Sequence, residues 1–344
     1  MSLNYSIIIP VHNAKRFLTD LLQQLHAINY QGYECLLIEN GSTDGTWEML
    51  TTLTADDEIC RAFQIPPHGP GAARNYGIEH AQGKYVLFLD ADDPVQPDIL
   101  WQYDQVADQD DDDLIISSFQ FDTMRDNQVV VSQKYQLTDH LFNSQSDFFD
   151  QLYDLMNRQF AYVIWNKRYR LALLIDHQIR FPEFFSCEDR IFNIRYFEHC
   201  QTVYTTSKIL AIYRYDAAHG LTTRYDPHKF ATFKQWYQEA VDLLGDRALA
   251  GISALYLKGL TSTIFSIIRT KKIDRQHKKG EVQEIYHDPS VRQAKKEAIT
   301  DSKIKHLTKI LYAFPFPLFY IAVSVGSSME YRLPSVIEKF KRNY

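Results

Sequence analysis

The chain has 344 residues, 45% of them hydrophobic, with 37 Lys/Arg against 43 Asp/Glu and a net charge of −6. That length supports two domains, or one large domain with an appendage, and the apolar content excludes wholesale disorder. The acidic balance argues against a general nucleic-acid binder. The charge is uneven, however: residues 269–309 hold twelve Lys/Arg and six Asp/Glu, a local +6 that leaves −12 elsewhere. Cys35, Cys60, Cys187 and Cys200 show neither metal-ligand spacing nor a disulfide framework, which fits a reducing compartment. No signal-peptide pattern precedes the first strand.

Residues 5–9 form a short apolar strand ending at Pro10, and His12 and Asn13 follow in a turn. Asn13 suits a helix N-cap, and Phe17, Leu18, Leu21, Leu22, Leu25 and Ile28 keep helical spacing, which predicts a helix over 14–28. A second buried strand, 34–38, stops at Glu39-Asn40-Gly41-Ser42-Thr43-Asp44-Gly45, strong turn chemistry. A helix over 46–53 and a third strand over 61–65 come next. Gly69-Pro70-Gly71-Ala72-Ala73-Arg74-Asn75 then opens a further helix. Its small residues let backbone approach a ligand, a helix N-terminus favours anions, and Arg74 suits phosphate oxygens. A tight turn with a surface arginine is the plain alternative. This Gly-x-Gly is not a dinucleotide fingerprint, because it does not follow the first strand.

The run at 85–89 is apolar on every side, as a strand buried on both faces would be, and it ends in Asp90, Asp92 and Asp93. Alternation predicts that Asp90 and Asp92 point the same way if the chain stays extended. Two hard oxygen donors on one face suit Mg²⁺ or Mn²⁺ and the phosphates such ions share. Alone, the stretch fits an acidic turn equally well. The alternation of strand, turn and helix predicts a parallel sheet with helices on both faces and the strand ends at 10, 39 and 90 on one ligand edge.

The acidic run at 108–113 reads as a solvated loop. A strand over 114–119, a hairpin with loops over 121–145 and a helix over 147–156 precede Trp165-Asn166-Lys167. Glu188 and Asp189 begin a helix, either as dipole-stabilising acids or as a base aimed into the cleft. A strand over 209–213 leads to Arg214 and a polar, basic loop at 219–224 suited to covering a diphosphate. From residue 227 the pattern becomes helical, first an amphipathic helix over 230–244 and then a strongly apolar one over 248–268. Residues 310–329 carry no charge, yet Pro315 and Pro317 break the run. It reads as a buried or interfacial segment with basic neighbours facing anionic lipid, or as a packed helix pair.

Taken together, these pieces resemble the family 2 glycosyltransferases, the large inverting group with the GT-A fold. The resemblance covers about 5–224. It rests on Ile9-Pro10-Val11-His12-Asn13, Glu39-Asn40-Gly41-Ser42-Thr43-Asp44-Gly45-Thr46, the Gly69 to Asn75 stretch, Asp90-Ala91-Asp92, Trp165-Asn166-Lys167 and Glu188-Asp189, in order. It implies an α/β GT-A catalytic domain over 1–224 and a helical C-terminal region over 225–344. Pro10 and Glu39 would line the nucleobase pocket of a nucleotide-sugar site that also takes in His12 and Asn13. Gly71, Arg74, Asp90, Ala91, Glu188 and Arg214 would line the rest of that site. Asp92, with Asp90, would hold Mn²⁺ or Mg²⁺, and Asp189 would be the general base. His12 stands where the family has Tyr, and Glu39-Asn40 replaces an acid pair, which leaves the nucleobase open. The implied activity is metal-dependent sugar transfer, from a UDP-sugar most readily, to a glycan or lipid-linked saccharide in surface-polysaccharide synthesis. No nucleic-acid partner is expected. The expected location is cytoplasmic, with peripheral contact to the inner face of the cell membrane through 269–329. A nucleotidyltransferase and a non-catalytic sugar-nucleotide or glycan binder are the rival readings.

Overall fold

The computed structural model describes residues 3–106, 112–126, 128–184, 186–216 and 225–332. The chain divides into two compact units, residues 1–148 with 159–220, and residues 149–158 with 221–344.

The first unit runs β1 (Tyr5–Val11), α1 (Leu18–His26), β2 (Tyr33–Asn40), α2 (Thr46–Leu53), β3 (Cys60–Ile65), α3 (Pro70–His80), β4 (Tyr85–Phe88) and α4 (Ile99–Val106). It continues with β5 (Leu114–Arg125), β6 (Gln128–Tyr135), β7 (His140–Phe142), the start of α5 (Gln145–Asn157), β8 (Lys167–Arg170), α6 (Leu171–Asp176), α7 (Glu188–Phe197) and β9 (Val203–Asp216). One nine-stranded sheet has the order β3-β2-β1-β4-β8-β5-β9-β7, with β6 along β5 beyond the end of β8. The strands β3, β2, β1 and β4 are parallel, and β8 is antiparallel to both its neighbours. Ile7, Ile8, Ile9, Leu36, Leu37 and Ile38 have no solvent exposure, as expected of strands covered on both faces. Leu18, Leu21, Leu22 and Leu25 of α1 are buried at helical spacing. The mostly parallel α/β sheet is the one the sequence predicts, and the ends of β1, β2 and β4 share one edge.

Several local expectations are corrected. Asn13 caps no helix. It sits at φ 47°, and its Oδ1 accepts from the Thr43 N–H at 2.9 Å. Asparagine tolerates this left-handed backbone, and its amide is spent across the loop. A 3-10 turn, Lys15–Phe17, opens instead, and α1 begins at Leu18 without a side-chain cap. The acidic run at 108–113 is not wholly solvated: Asp112 and Asp113 are buried, while 107–111 lie outside the described residues. One Asp113 oxygen accepts from the Gln201 and Thr202 N–H groups at 2.8 and 3.1 Å, and the other pairs with Arg170 at 3.1 Å.

The second unit, besides 149–158, holds α8 (Lys229–Leu244), α9 (Leu249–Arg269), α10 (Arg275–His287), α11 (Pro289–Glu297), α12 (Lys303–Ala313) and α13 (Phe316–Arg332). Among the described residues α9 alone is long and apolar enough to cross a bilayer, and most of it is buried as the core helix of this unit. The uncharged run at 310–329 is split between α12 and α13 at Phe314 and Pro315. Proline supplies no N–H to continue a helix.

Candidate active site

The sheet edge gathers the site. Pairing of β1 with β4 ends at Ile8 opposite Phe88, so Pro10 stands where β1 keeps a neighbour on one side only, level with the acidic turn. Here the sequence expectation is corrected. The chain does not stay extended through Asp90-Ala91-Asp92; it turns, and the Asp93 N–H donates to the Asp90 carbonyl at 3.2 Å. A turn, not strand alternation, sets where the three carboxylates point. Asp93, whose task the sequence leaves open, accepts from the Arg214 N–H at 2.8 Å and so ties the turn to β9.

Arg74 is the hub. It stands on the first turns of α3 with a side chain only 6% exposed. One guanidinium nitrogen donates to Asp90 at 2.9 Å, and the other reaches Glu188 at 3.2 Å and Asp189 at 3.4 Å. The Phe181 ring lies 5.5 Å from its central carbon. Thus three sequence-distant motifs meet on one cation. Burial opposes its charge, but the three carboxylates hold the guanidinium above its ordinary pKa.

The acids outnumber that partner. Burial, then the neighbouring Glu188 and Asp90 charges, push the Asp189 carboxyl up to about 8, against the opposing pull of Arg74 and Lys167. Glu188 is raised by burial despite Arg74. Asp92 stays open to solvent at the rim, yet the loss of surrounding water and the charge of Asp90 raise it. Burial and Asp90 raise Asp93 further. This surplus of hard, negatively charged oxygens suits a divalent cation at Asp92 and Asp90. Arg214, exposed on β9, and Arg16, exposed in the 3-10 turn, both act on Asp92 with the opposite sign.

The supporting frame explains why Asp189 stands where it does. Asn75, next to Arg74, donates to the Phe181 carbonyl at 2.9 Å and accepts its N–H at 2.8 Å, anchoring the chain that leads to α7. A side chain at Gly71 would press on Phe181 at 3.1 Å, so the absence of one lets α3 pack closely against Phe181 and Pro182. Asn193 of α7 binds the Tyr162 and Val163 carbonyls and accepts from the Tyr169 hydroxyl at 2.7 Å. Lys167, fully buried, donates to the Phe160 and Val163 carbonyls and the Asn166 side chain, and burial drives its ammonium pKa well down. Trp165 stacks on Tyr213 at 5.2 Å and 3°.

A second polar network occupies the ends of β1 and β2. His12 Nδ1 lies 2.9 Å from the Asn40 carbonyl oxygen and its Nε2 lies 3.1 Å from the Asn13 amide. Asn40 Oδ1 accepts from the His68 N–H at 2.9 Å. Glu39 is fully buried, accepting from the Ser42 N–H with one oxygen and from Gln64 at 3.0 Å with the other. Burial works against its charge, but these donors hold the carboxyl below its ordinary range. Glu39 thus braces the turn in which Gly41 adopts φ +73° against Pro67. His12, Asn13, Gln64 and His68 are the exposed members.

Sequence reasoning missed Arg16, Asn75, Phe181 and Tyr213 at this edge. Arg16 and Tyr213 carry no motif, while Asn75 and Phe181 become legible only once α3 meets the 181–188 stretch. The loop at 219–224 lies outside the described residues. Among the described residues, the His/Cys/Asp group whose ligand atoms converge within 4.8 Å is His26, Asp57 and Cys60. It lies at the opposite end of the strands, where Asp57 is occupied by His26 at 2.8 Å and by the Ile59 and Cys60 N–H groups. A recess of about 450 Å³ at that end, lined by Gly83, Lys84, Arg170 and Leu171, contains none of the clustered acids.

The sequence profile described as Glycosyl transferase family 2 matches residues 6–184, more than half of the chain. The chain belongs to that family. Among curated relatives, EpsH of Bacillus subtilis is 28% identical over 55% of this chain and 54% of its own length. The uncharacterized glycosyltransferase EpsJ of the same organism is 26% identical over 72% and 71%. The chain thus spans about half the length of EpsH and less of some other relatives, 38% for a Haemophilus influenzae glycosyltransferase. Among solved structures, Staphylococcus aureus TarS 1–349 in complex with UDP-GlcNAc superposes with a TM-score of 0.68 at 19% identity, covering 96% of this chain and 92% of that one. That likeness establishes the GT-A fold with a helical C-terminal region.

Proposed function

We propose that the chain is an inverting glycosyltransferase that moves a sugar from a nucleoside-diphosphate donor to an acceptor hydroxyl in surface-polysaccharide or lipid-linked glycan synthesis. The observation that carries this reading is Arg74 bridging Asp90 to Glu188 and Asp189. It joins a donor-side acid to a base-side acid. The TarS complex with UDP-GlcNAc supports a UDP-sugar as donor.

In this reading, Pro10, His12 and Asn13 meet the nucleobase, with Glu39 bracing the turn behind them. Asp90 and Ala91 face the ribose side, and Arg214 faces the diphosphate. Asp92, with Asp90, would hold Mn²⁺ or Mg²⁺. When bound, such an ion neutralises charge on the diphosphate leaving group. Asp189 takes the acceptor hydroxyl's proton as that oxygen attacks the anomeric carbon, and its raised pKa makes it a competent base near neutral pH. Arg74 and Glu188 hold it in place. A single displacement needs no second nucleophilic carboxylate, so the sugar inverts.

The test is nucleoside-diphosphate release from a panel of UDP-, GDP- and dTDP-sugars in Mn²⁺ with saccharide acceptors. Turnover of one donor, abolished by Asp189→Asn, is expected. Absence of both binding and turnover across the panel overturns the reading.

A further inference from the structure

The second unit carries an exposed apolar surface. Between Lys303 and Ser328 the sequence contains no Asp or Glu. The helices α12 and α13 bury Thr308, Tyr312, Phe319, Val323 and Ser327 within the unit. The Phe319 ring lies 4.9 Å from Tyr312 and 4.8 Å from Tyr286, and Tyr286 donates to the Phe314 carbonyl at 2.6 Å. The other side of the pair exposes Leu307, Ile310 and Phe314, then Leu318, Ile321 and Val325, each 41–59% open. Both triplets follow i, i+3, i+7 spacing, which makes one stripe on each helix. These six are half of the twelve large hydrophobic side chains exposed among the described residues, so the concentration is not ordinary surface scatter.

The charges around the stripe identify its partner. Lys303 and His306, both exposed, precede Leu307. At the far end Arg269 donates to Ser327 Oγ at 3.2 Å, and exposed Lys271 and Lys272 follow it. Exposed Asp301 and Asp274 stand beside these ends, but Lys303, Lys305 and Lys309 outnumber the first and Arg269, Lys271, Lys272 and Arg275 the second, so each end is net basic and no acid interrupts the stripe. Docking onto a second copy would set these cations against one another. A surface of anionic phospholipid takes both the apolar stripe and the basic ends. The proline break and the buried opposite faces exclude a spanning role for this run.

We propose that α12 and α13 lie in the headgroup layer of an anionic membrane, with the six side chains inserted among the acyl chains. This holds or fails independently of the sugar-transfer reading.

The test is flotation of the full chain with vesicles of phosphatidylglycerol and phosphatidylcholine, and with phosphatidylcholine alone. We expect recovery with the anionic vesicles to exceed that with the neutral ones at least tenfold and to fall as salt rises. A Leu318→Ser, Ile321→Ser variant, altered only at exposed positions, should keep the wild-type melting temperature. It should lose about tenfold or more of its vesicle partitioning, as expected when much of two inserted side chains is removed. Equal flotation of variant and wild type overturns the assignment of this stripe. No wild-type flotation overturns the membrane. A wild-type dimer in sedimentation velocity that the variant dissolves, without vesicle binding, assigns the stripe to a second copy instead.

Discussion

Two acidic sites in the first unit use the same residue types to opposite ends. At Asp113 supply meets demand: one carboxylate oxygen takes Arg170 and the other takes two backbone N–H groups. At the sheet edge, Asp90, Glu188 and Asp189 share Arg74 while Asp92 and Asp93 lie in the turn beside Asp90, and four of the five carboxyls are pushed up by burial and by neighbouring acids. The first arrangement is a joint. The second is an unfinished charge balance that a cationic or proton-bearing ligand would complete. Imbalance, more than the presence of acids, marks the functional edge.

The comparison can be broken most forcefully at Asp189. Replacing it by Asn should cut transfer by about 10²–10⁴-fold, the span of a general base, with the donor dissociation constant unchanged. Steady-state kinetics beside calorimetric titration checks this. Arg74→Ala removes the counter-charge from buried Glu188 and half-buried Asp90 and Asp189 and should lower unfolding stability by about 3–5 kcal/mol in denaturant titration. At the balanced site, Asp113→Asn should cost about 1–3 kcal/mol, because backbone donors lose a charged acceptor, and should leave donor binding intact. Asn75→Ala should cost a similar amount and lower kcat more than it raises KM, since it releases the Phe181 backbone and so misplaces Asp189.

A pH series sharpens the contrast at smaller amplitude. The folded-state pKa of Asp189 lies above its unfolded value, so between about 4 and 8 the native state holds a proton that the unfolded state has lost. That group's contribution to stability therefore declines as pH rises through this window. The melting temperature of Asp189→Asn, relative to wild type, should rise from pH 5 to pH 9. A constant difference would show that Asp189 is not pushed up.

Much of this was legible in the sequence. The apolar runs at β1, β2 and β4 and the turn residues after them are enough to place one ligand edge. The ordered motifs were enough to bring Arg74, Asp90 and Asp189 into one site. What was illegible depends on partners distant in sequence. Asn13 looks like a helix cap until Thr43 arrives beside it. Nothing near Glu39 in sequence announces Gln64, which donates to one of its oxygens. Nothing near Gly71 announces Phe181, which a side chain there would meet at 3.1 Å. The acidic run before β5 looks solvated because nothing nearby in sequence announces Arg170, Gln201 and Thr202 as partners for Asp113. Local chemistry identifies a residue's capacity, and only the fold decides what occupies it.

The most direct test is calorimetric titration of a UDP-sugar in Mn²⁺ against wild type, Asp92→Asn and Asp113→Asn. Binding to wild type and Asp113→Asn with equal affinity, and its loss in Asp92→Asn, is the predicted result. Retention by Asp92→Asn, or loss in Asp113→Asn while that variant remains folded, would contradict the assignment of the unbalanced edge as the donor site.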